Sequence, residues 1–483
     1  MPALRGFMNR KIVLFELNEV PVRIFKHFCR LNPGSALGRH WKELTRYETW
    51  TEDTGWLEPW ITWPTLHRGV TNERHGITDF GQPLHEIDRA FPPLWKILAG
   101  RGIKTGVCGS LHTYPMPEDL SNYTFFIPDT FAAGAECFPQ DVTLFQEFNL
   151  TMARESARNV SKRIPWKSAL ALLAKTPELG FKLSTAADLG RQLAAERVHP
   201  WQRVRRRTYQ SVLAFDIFMN YLDRTRPDMA SFFSNHVASS MHRYWAALFP
   251  SDYAQFEFTD GWVNTYQDEI NFTMGKFDRF FARLVNFADE NPEYQIWVAT
   301  SMGQAATRGR PCESQLYCVD PKTFMAALGV QPDEWTSRPA MLPQCNVVVA
   351  ETKATEFREA LRGLLIDGKP TYFREPESGF FSMDFGQEDL QDRNDFVQLN
   401  GKTVPPSQLG LKAVQIEDKT HSSAYHIPNG TLLIYDPLDR SEKADFTQIS
   451  TLDIAPTLLS NFSVPIPEYM QAPASLAADV HAG

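Results

Sequence analysis

No stretch of this 483-residue chain approaches the ~20 consecutive apolar residues that a membrane-spanning helix needs, so no membrane span is expected. The first apolar run, Ile12 to Leu17, contains Glu16 and follows a basic start, Met1 to Arg10. It is too short for the core of a secretory leader. Cysteine is scarce and scattered, at Cys29, Cys108, Cys137, Cys312, Cys318 and Cys345. The absence of any Cys-x-x-Cys pair argues against a cysteine zinc site. Reduced thiols in the cytoplasm fit this usage better than a disulfide framework. Positive charge is not in excess either: the net charge of −8 argues against general nucleic-acid binding. No internal repeat is visible.

What remains is ordinary globular composition, 43% hydrophobic and 22% charged, with length enough for one large α/β domain plus an insertion, or for two domains. The 12 Trp and 34 Phe fit a large aromatic core or aromatic-lined clefts. Lys11 to Leu17 reads as a buried parallel strand. Pro92 to Gly102 reads as a helix with a glycine stop, and Ile103 to Cys108 as the next strand, a βαβ rhythm. Ala230–Asn235 and Gln295–Thr300 are short apolar runs ending in polar residues, the pattern of central strands. In open α/β sheets, ligand-bearing residues stand just past such strand ends. The expected fold class is α/β, a mostly parallel central sheet with helices on both faces, over residues 10–465. A helical, cation-rich insertion or cap is expected over 141–222. Its Arg203–Arg207 cluster faces either an anionic substrate or solvent. Residues 320–419 carry no clear pattern, and 467–483 read as a loose tail.

The most informative segments lie near the C-terminus: His426-Ile-Pro-Asn-Gly430 opening an apolar strand, then Leu452-Asp-Ile-Ala-Pro-Thr457. Upstream, Gly69 is followed by His75-Gly-Ile77. Together these resemble the alkaline phosphatase superfamily, especially its phosphodiesterase/nucleotide pyrophosphatase branch. The resemblance covers roughly residues 10–110, 228–305 and 420–465. It implies an alkaline phosphatase-like sheet and a site in which two metal ions clamp phosphoryl oxygens and activate a Ser or Thr nucleophile. The branch's pattern is Asp-Gly after the first strand, the nucleophile, Asp-x-x-x-His, Asp-His-Gly, and the His of His-x-x-x-Gly.

Most of those positions are replaced. Asn18-Glu19 stands for Asp-Gly; Asn18 either ligates through its carbonyl or caps the next segment, and Glu16 and Glu19 are near enough to compensate. Counting back from Gly69 without a gap puts Glu58-Pro59 at the nucleophile, which leaves no hydroxyl there. A three-residue gap would align Thr62-Trp-Pro64 instead, so Thr62 and Thr65 remain candidates. His67 is either a base or a core histidine. His242 matches the histidine of Asp-x-x-x-His, but Ala238 stands for its aspartate, and His236 is an extra imidazole. Ser301-Met302 replaces Asp-His, and methionine is a poor ligand for hard or borderline cations. His426 matches the last histidine, with His421 five residues before it.

A two-metal site as the branch builds it is therefore not expected. One zinc or other divalent ion on His236, His242 and His426, with an open position for water, remains chemically reasonable. Glu58 is the expected acid/base. Asn18, Glu19, Asn235, Ser301 and Gln304 would contact a small anionic, phosphorylated substrate. The resemblance implies a divergent enzyme that hydrolyses or transfers a phosphate or related ester with one metal or none. Two alternatives stay open: a pseudoenzyme that holds an anionic ligand without turnover, and a group transferase in glycan or secondary-metabolite assembly.

Overall fold

The computed structural model describes residues 10–155, 159–160 and 164–474. The basic start up to Asn9 and the tail from Ser475 lie outside them. The central sheet contains β1 (Lys11–Leu17), β2 (Thr45–Trp50), β3 (Thr105–Cys108), β4 (Tyr123–Ile127), β5 (Met229–Ser234) and β6 (Tyr294–Ala299). After a short strand β7 (Gly303–Ala306) and a distant partner β8 (Ala424–Ile427), the chain returns to this sheet with β9 (Asn429–Tyr435) and β10 (Thr447–Ser450). The strand order is β10–β2–β9–β6–β1–β5–β3–β4. Every pairing is parallel except those of β9, which runs antiparallel to both β2 and β6. This is the α/β architecture, with a mostly parallel central sheet, that the strand pattern predicts.

The run Ile-Val-Leu-Phe in β1 is unbroken because both faces of the strand are covered. Side chains alternate across a strand. Val13, Phe15 and Leu17 therefore join one core with α3 (Arg206–Thr225), α4 (His236–Leu248) and α5 (Glu269–Glu290). Ile12 and Leu14 join another with α1 (Pro59–Arg68), α2 (Leu94–Gly100) and α6 (Ile454–Asn461).

Within the expected insertion, Thr143–Glu155, Trp166–Ala174, Thr176–Leu179 and Leu183–Val198 are helical. Its last element behaves differently: α3 packs Phe215, Phe218 and Tyr221 into the sheet's core, so it is a covering helix of the sheet. Residues 320–419 fold as short, mostly antiparallel strands with helices Pro321–Ala327 and Glu351–Arg362 around a core of their own that includes Phe324, Phe357 and Phe381. The described part of the tail is not loose. Met470 is buried against Gly69, and Gln471 donates to Asp453.

Candidate functional site

The C-terminal ends of the central strands β1, β5 and β6 lie at one end of the sheet, where α1 and α4 begin. α1 starts with Pro59 at its first position and ends at Gly69 in the left-handed region (φ 62°), whose N–H donates to Thr65 O. Proline pre-sets the first turn and glycine tolerates the reversal. Glu58 is thereby fixed as the residue that caps α1.

Glu19, just past β1, is the centre of the arrangement. It is 2% exposed and holds φ at 61°. A left-handed non-glycine backbone costs about 1–3 kcal/mol and persists where surrounding structure enforces it. Its Oε2 lies 2.9 Å from His242 Nε2 and 3.2 Å from His426 Nε2, and it accepts a short bond from Gln304 Nε2. Its Oε1 accepts from Asn18 Nδ2 at 2.6 Å. The β7–β8 pairing sets His426 opposite Gln304.

The far nitrogen of each imidazole is already committed. His242 Nδ1–H donates to Ala424 O at 2.8 Å, and His426 Nδ1–H donates to Leu57 O. Both Nε2 atoms therefore face the same carboxylate. A bare lone pair there would be repelled, so a proton or a cation must sit between. Backbone acceptors behind two histidines are the usual support of a metal ligand. The ligand atoms of Glu19, His242 and His426 all lie within 4.8 Å of one another, and His426 Nε2 is buried without a well-directed hydrogen bond.

Glu58 completes the group. Tyr425 O–H donates to its Oε1 at 2.5 Å, and its Oε2 lies 3.6 Å from His426 Nδ1. Burial pushes its carboxyl up, only partly countered by His426 and Tyr425, to about 7. For His426 burial acts downward, but the charges of Glu19 and Glu58 outweigh it and raise the imidazole to about 9. Burial would raise Glu19; the two facing imidazoles reverse this and hold it well below the ordinary carboxylate range.

The other expected residues divide. Asn18 and Asn235 sit beside the group: Asn18 Nδ2 donates to Asn235 Oδ1 at 2.8 Å, while Asn18 Oδ1 accepts from the Trp63 indole at 2.7 Å. His236 is not part of the three-imidazole set expected from sequence. Its Nδ1 lies 2.7 Å from Ser234 Oγ, its ring packs on Phe280, and burial pushes it down to about 3. Glu19 takes its place in the group. The first position of a helix turns His236 back along the strand end, six residues from His242 and on a different side of α4.

Thr62, Thr65, His67 and Ser301 are packing residues. Thr62 Oγ1 and Ser301 Oγ are 2.8 Å apart and both hydroxyls are fully buried. Thr65 donates to Asp53 at 2.7 Å and lies 3.0 Å from His75 Nε2. His67 Nε2–H donates to Glu16 at 2.9 Å, its ring between Trp63 and Trp95. His421 pairs with Glu388 away from the group. Of the Arg cluster, Arg205 pairs with Glu269, Arg206 with Glu196 and Arg203 with Glu417, and Arg207 lines the cavity. Tyr425 was missed; its only sequence signal is its place beside His426.

The Glu19, His242 and His426 donors could together hold a divalent ion, and among the described residues Cys312, Glu388 and Asp389 form the other such group. Asn18 Oδ1 accepts from the Trp63 indole, Ser301 Oγ lies 2.8 Å from Thr62 Oγ1, and Met302 is fully buried. Glu19, His242 and His426 line a cavity of about 790 Å³.

No protein-family model and no curated protein matches the chain. Among solved structures it is similar to an inactive variant of murine ectonucleotide pyrophosphatase/phosphodiesterase 5 in complex with AMP, at 11% identity and TM-score 0.42, covering 95% of this chain and 96% of that one. The human protein of that name gives 11% identity and TM-score 0.40, with 96% and 97% covered. Phosphonoacetate hydrolase from Sinorhizobium meliloti 1021 in complex with phosphonoformate gives 12% identity and TM-score 0.40, with 95% and 96% covered. At these scores the fold is read from the sheet itself, and no chemistry is carried across. The chain resembles the phosphodiesterase/nucleotide pyrophosphatase branch in its motifs and is similar to solved proteins bearing that designation, with most of the branch's ligand positions replaced.

Proposed function

We propose that this chain is an enzyme that cleaves or transfers a phosphate or related ester, with one divalent ion held by Glu19, His242 and His426. The observation that supports this reading most is the convergence of two imidazole Nε2 atoms on the Glu19 carboxylate in a cavity wall, with Glu58 beside them. Bound there, the ion would polarise an ester oxygen. Glu58, at about 7, is divided between acid and carboxylate near neutral pH, the condition that suits a general base. It takes the proton of the attacking water or acceptor hydroxyl as that oxygen bonds to phosphorus and the leaving oxygen departs to be protonated by solvent. Tyr425 steadies the Glu58 carboxylate. With Thr62 and Thr65 locked in packing, attack is direct and forms no hydroxyl-linked intermediate.

The test pairs metal content by mass spectrometry with activity on phosphomonoesters, phosphodiesters and sulfate esters. About one ion per chain, reduced at least tenfold by His242→Ala and by Glu19→Gln, is the expected result. Metal-free protein inactive towards every ester would overturn the reading. An acceptor requirement for product would assign transfer over hydrolysis.

A further inference from the structure

Gln304 is tied to the site without facing the cavity. It is 1% exposed, and the cavity lining that includes Glu19, His242 and His426 does not include it. The backbone sets its place. A Cβ at Gly303 would stand 2.2 Å from Asn429 O, so glycine is what lets β7 approach the start of β9 this closely. The β7–β8 ladder then sets Gln304 opposite His426.

Two acceptors claim the nitrogen of its carboxamide. Gln304 Nε2 donates to Glu19 Oε2 and, at 3.2 Å, to Ala238 O, one turn before His242 on α4. The amide cannot be turned over, because its oxygen would then face a carboxylate and a carbonyl. Its Oε1 is left buried with no hydrogen-bond partner among the described residues. An unpaired buried carbonyl disfavours the fold and calls for a compensating role. A fixed Glu19 supplies one. Asn18 Nδ2 holds Glu19 Oε1 at 2.6 Å and Gln304 Nε2 holds Oε2, so each carboxylate oxygen has an amide donor. These bonds oppose rotation of the carboxylate, which turns Oε2 towards the His242 and His426 Nε2 atoms at 2.9 and 3.2 Å.

We infer that Gln304 is a positioning residue that holds Glu19 as a one-oxygen ligand of the ion, and not a substrate contact. The inference rests on the ion of the preceding proposal. It gives the Ser301–Gln304 segment, where the branch has its Asp-His pair, the part of supporting a ligand from behind.

Zinc titration of the metal-stripped full chain by calorimetry, with the visible spectrum of its cobalt(II) form, tests it. Gln304→Met keeps the volume and removes the donor. Zinc should then bind about 10- to 100-fold more weakly, the usual cost of losing a ligand's hydrogen-bonded support. The cobalt spectrum should change as well, since a freed carboxylate can ligate through both oxygens. Thr62→Val, a buried change outside the group, should leave zinc affinity within about twofold of the parent chain. If Gln304→Met unfolds by circular dichroism, Asn18→Ala removes the donor to Oε1 and should weaken zinc by about threefold or more. Zinc affinity of Gln304→Met within about twofold of the parent, or an equal loss from Thr62→Val, would overturn the inference and leave the ion standing. An unaltered chain that binds no zinc would overturn both this inference and the ion itself.

Discussion

At the scale of residues, the proposed chemistry turns on Glu58. Replacing it with Gln keeps the hydrogen bond from Tyr425 and removes the titrating group. We expect kcat to fall about 10²- to 10⁴-fold with the melting temperature little changed. As a base Glu58 must be ionised, so kcat/KM should rise with pH and level off above about 7. A profile flat from pH 5 to 9 would assign the proton transfer elsewhere. Glu58, His242 and His426 could be read from the chain because each stands at a fixed offset from a glycine or strand end. Glu19 could be named but not assigned its part, since only the fold brings His242 and His426, 223 and 407 residues away by subtraction of their numbers, to its oxygen. His236 misled because spacing along a sequence does not say which way the first residue of a helix turns.

At the scale of elements, α1 carries the clearest lesson. All ten of its residues are buried, and its hydroxyls and imidazole are hydrogen-bonded within the protein. Periodicity could not reveal this, because a helix covered all round has no polar stripe to set its orientation. Thr62→Val should therefore leave kcat within twofold while costing about 1 kcal/mol in urea unfolding, by unpairing Ser301. Glu16→Leu leaves the buried His67 N–H without its acceptor and should cost about 1–3 kcal/mol, again without a matching loss of activity. The parallel strands were readable because burial on both faces writes an unbroken apolar run. The region 320–419 was not, because its short antiparallel strands and mixed burial leave neither that run nor a clean alternation.

At the scale of the whole molecule, pH acts through buried histidines. Burial, helped by Arg68 at His75, holds His75 at about 3; burial holds His112 at about 4 and His236 at about 3. In the unfolded chain each binds a proton near 6.5. The unfolded state therefore takes up more protons as pH falls below about 6.5, and stability present above that value is lost towards pH 4. Glu58 works the other way, favouring the fold below about 4.5 and losing that contribution as pH rises through about 7, and so do His426, raised to about 9, and the carboxyls of Asp53, Asp79, Asp129 and Glu269, which burial raises. Taken by themselves, the three depressed histidines should lower the melting temperature between pH 7 and pH 5. A rise over that interval would show that carboxyl groups dominate instead.

The antiparallel β9 strand has a consequence for synthesis. It lies between β2 and β6, so those two strands are not joined until residues 429–435 have left the ribosome, and the apolar edge of β6 waits for its partner. His426 arrives on the same stretch. Nascent or prematurely terminated product should accordingly be a client for holding chaperones, and assembly of the architecture and maturation of the pocket become one late event.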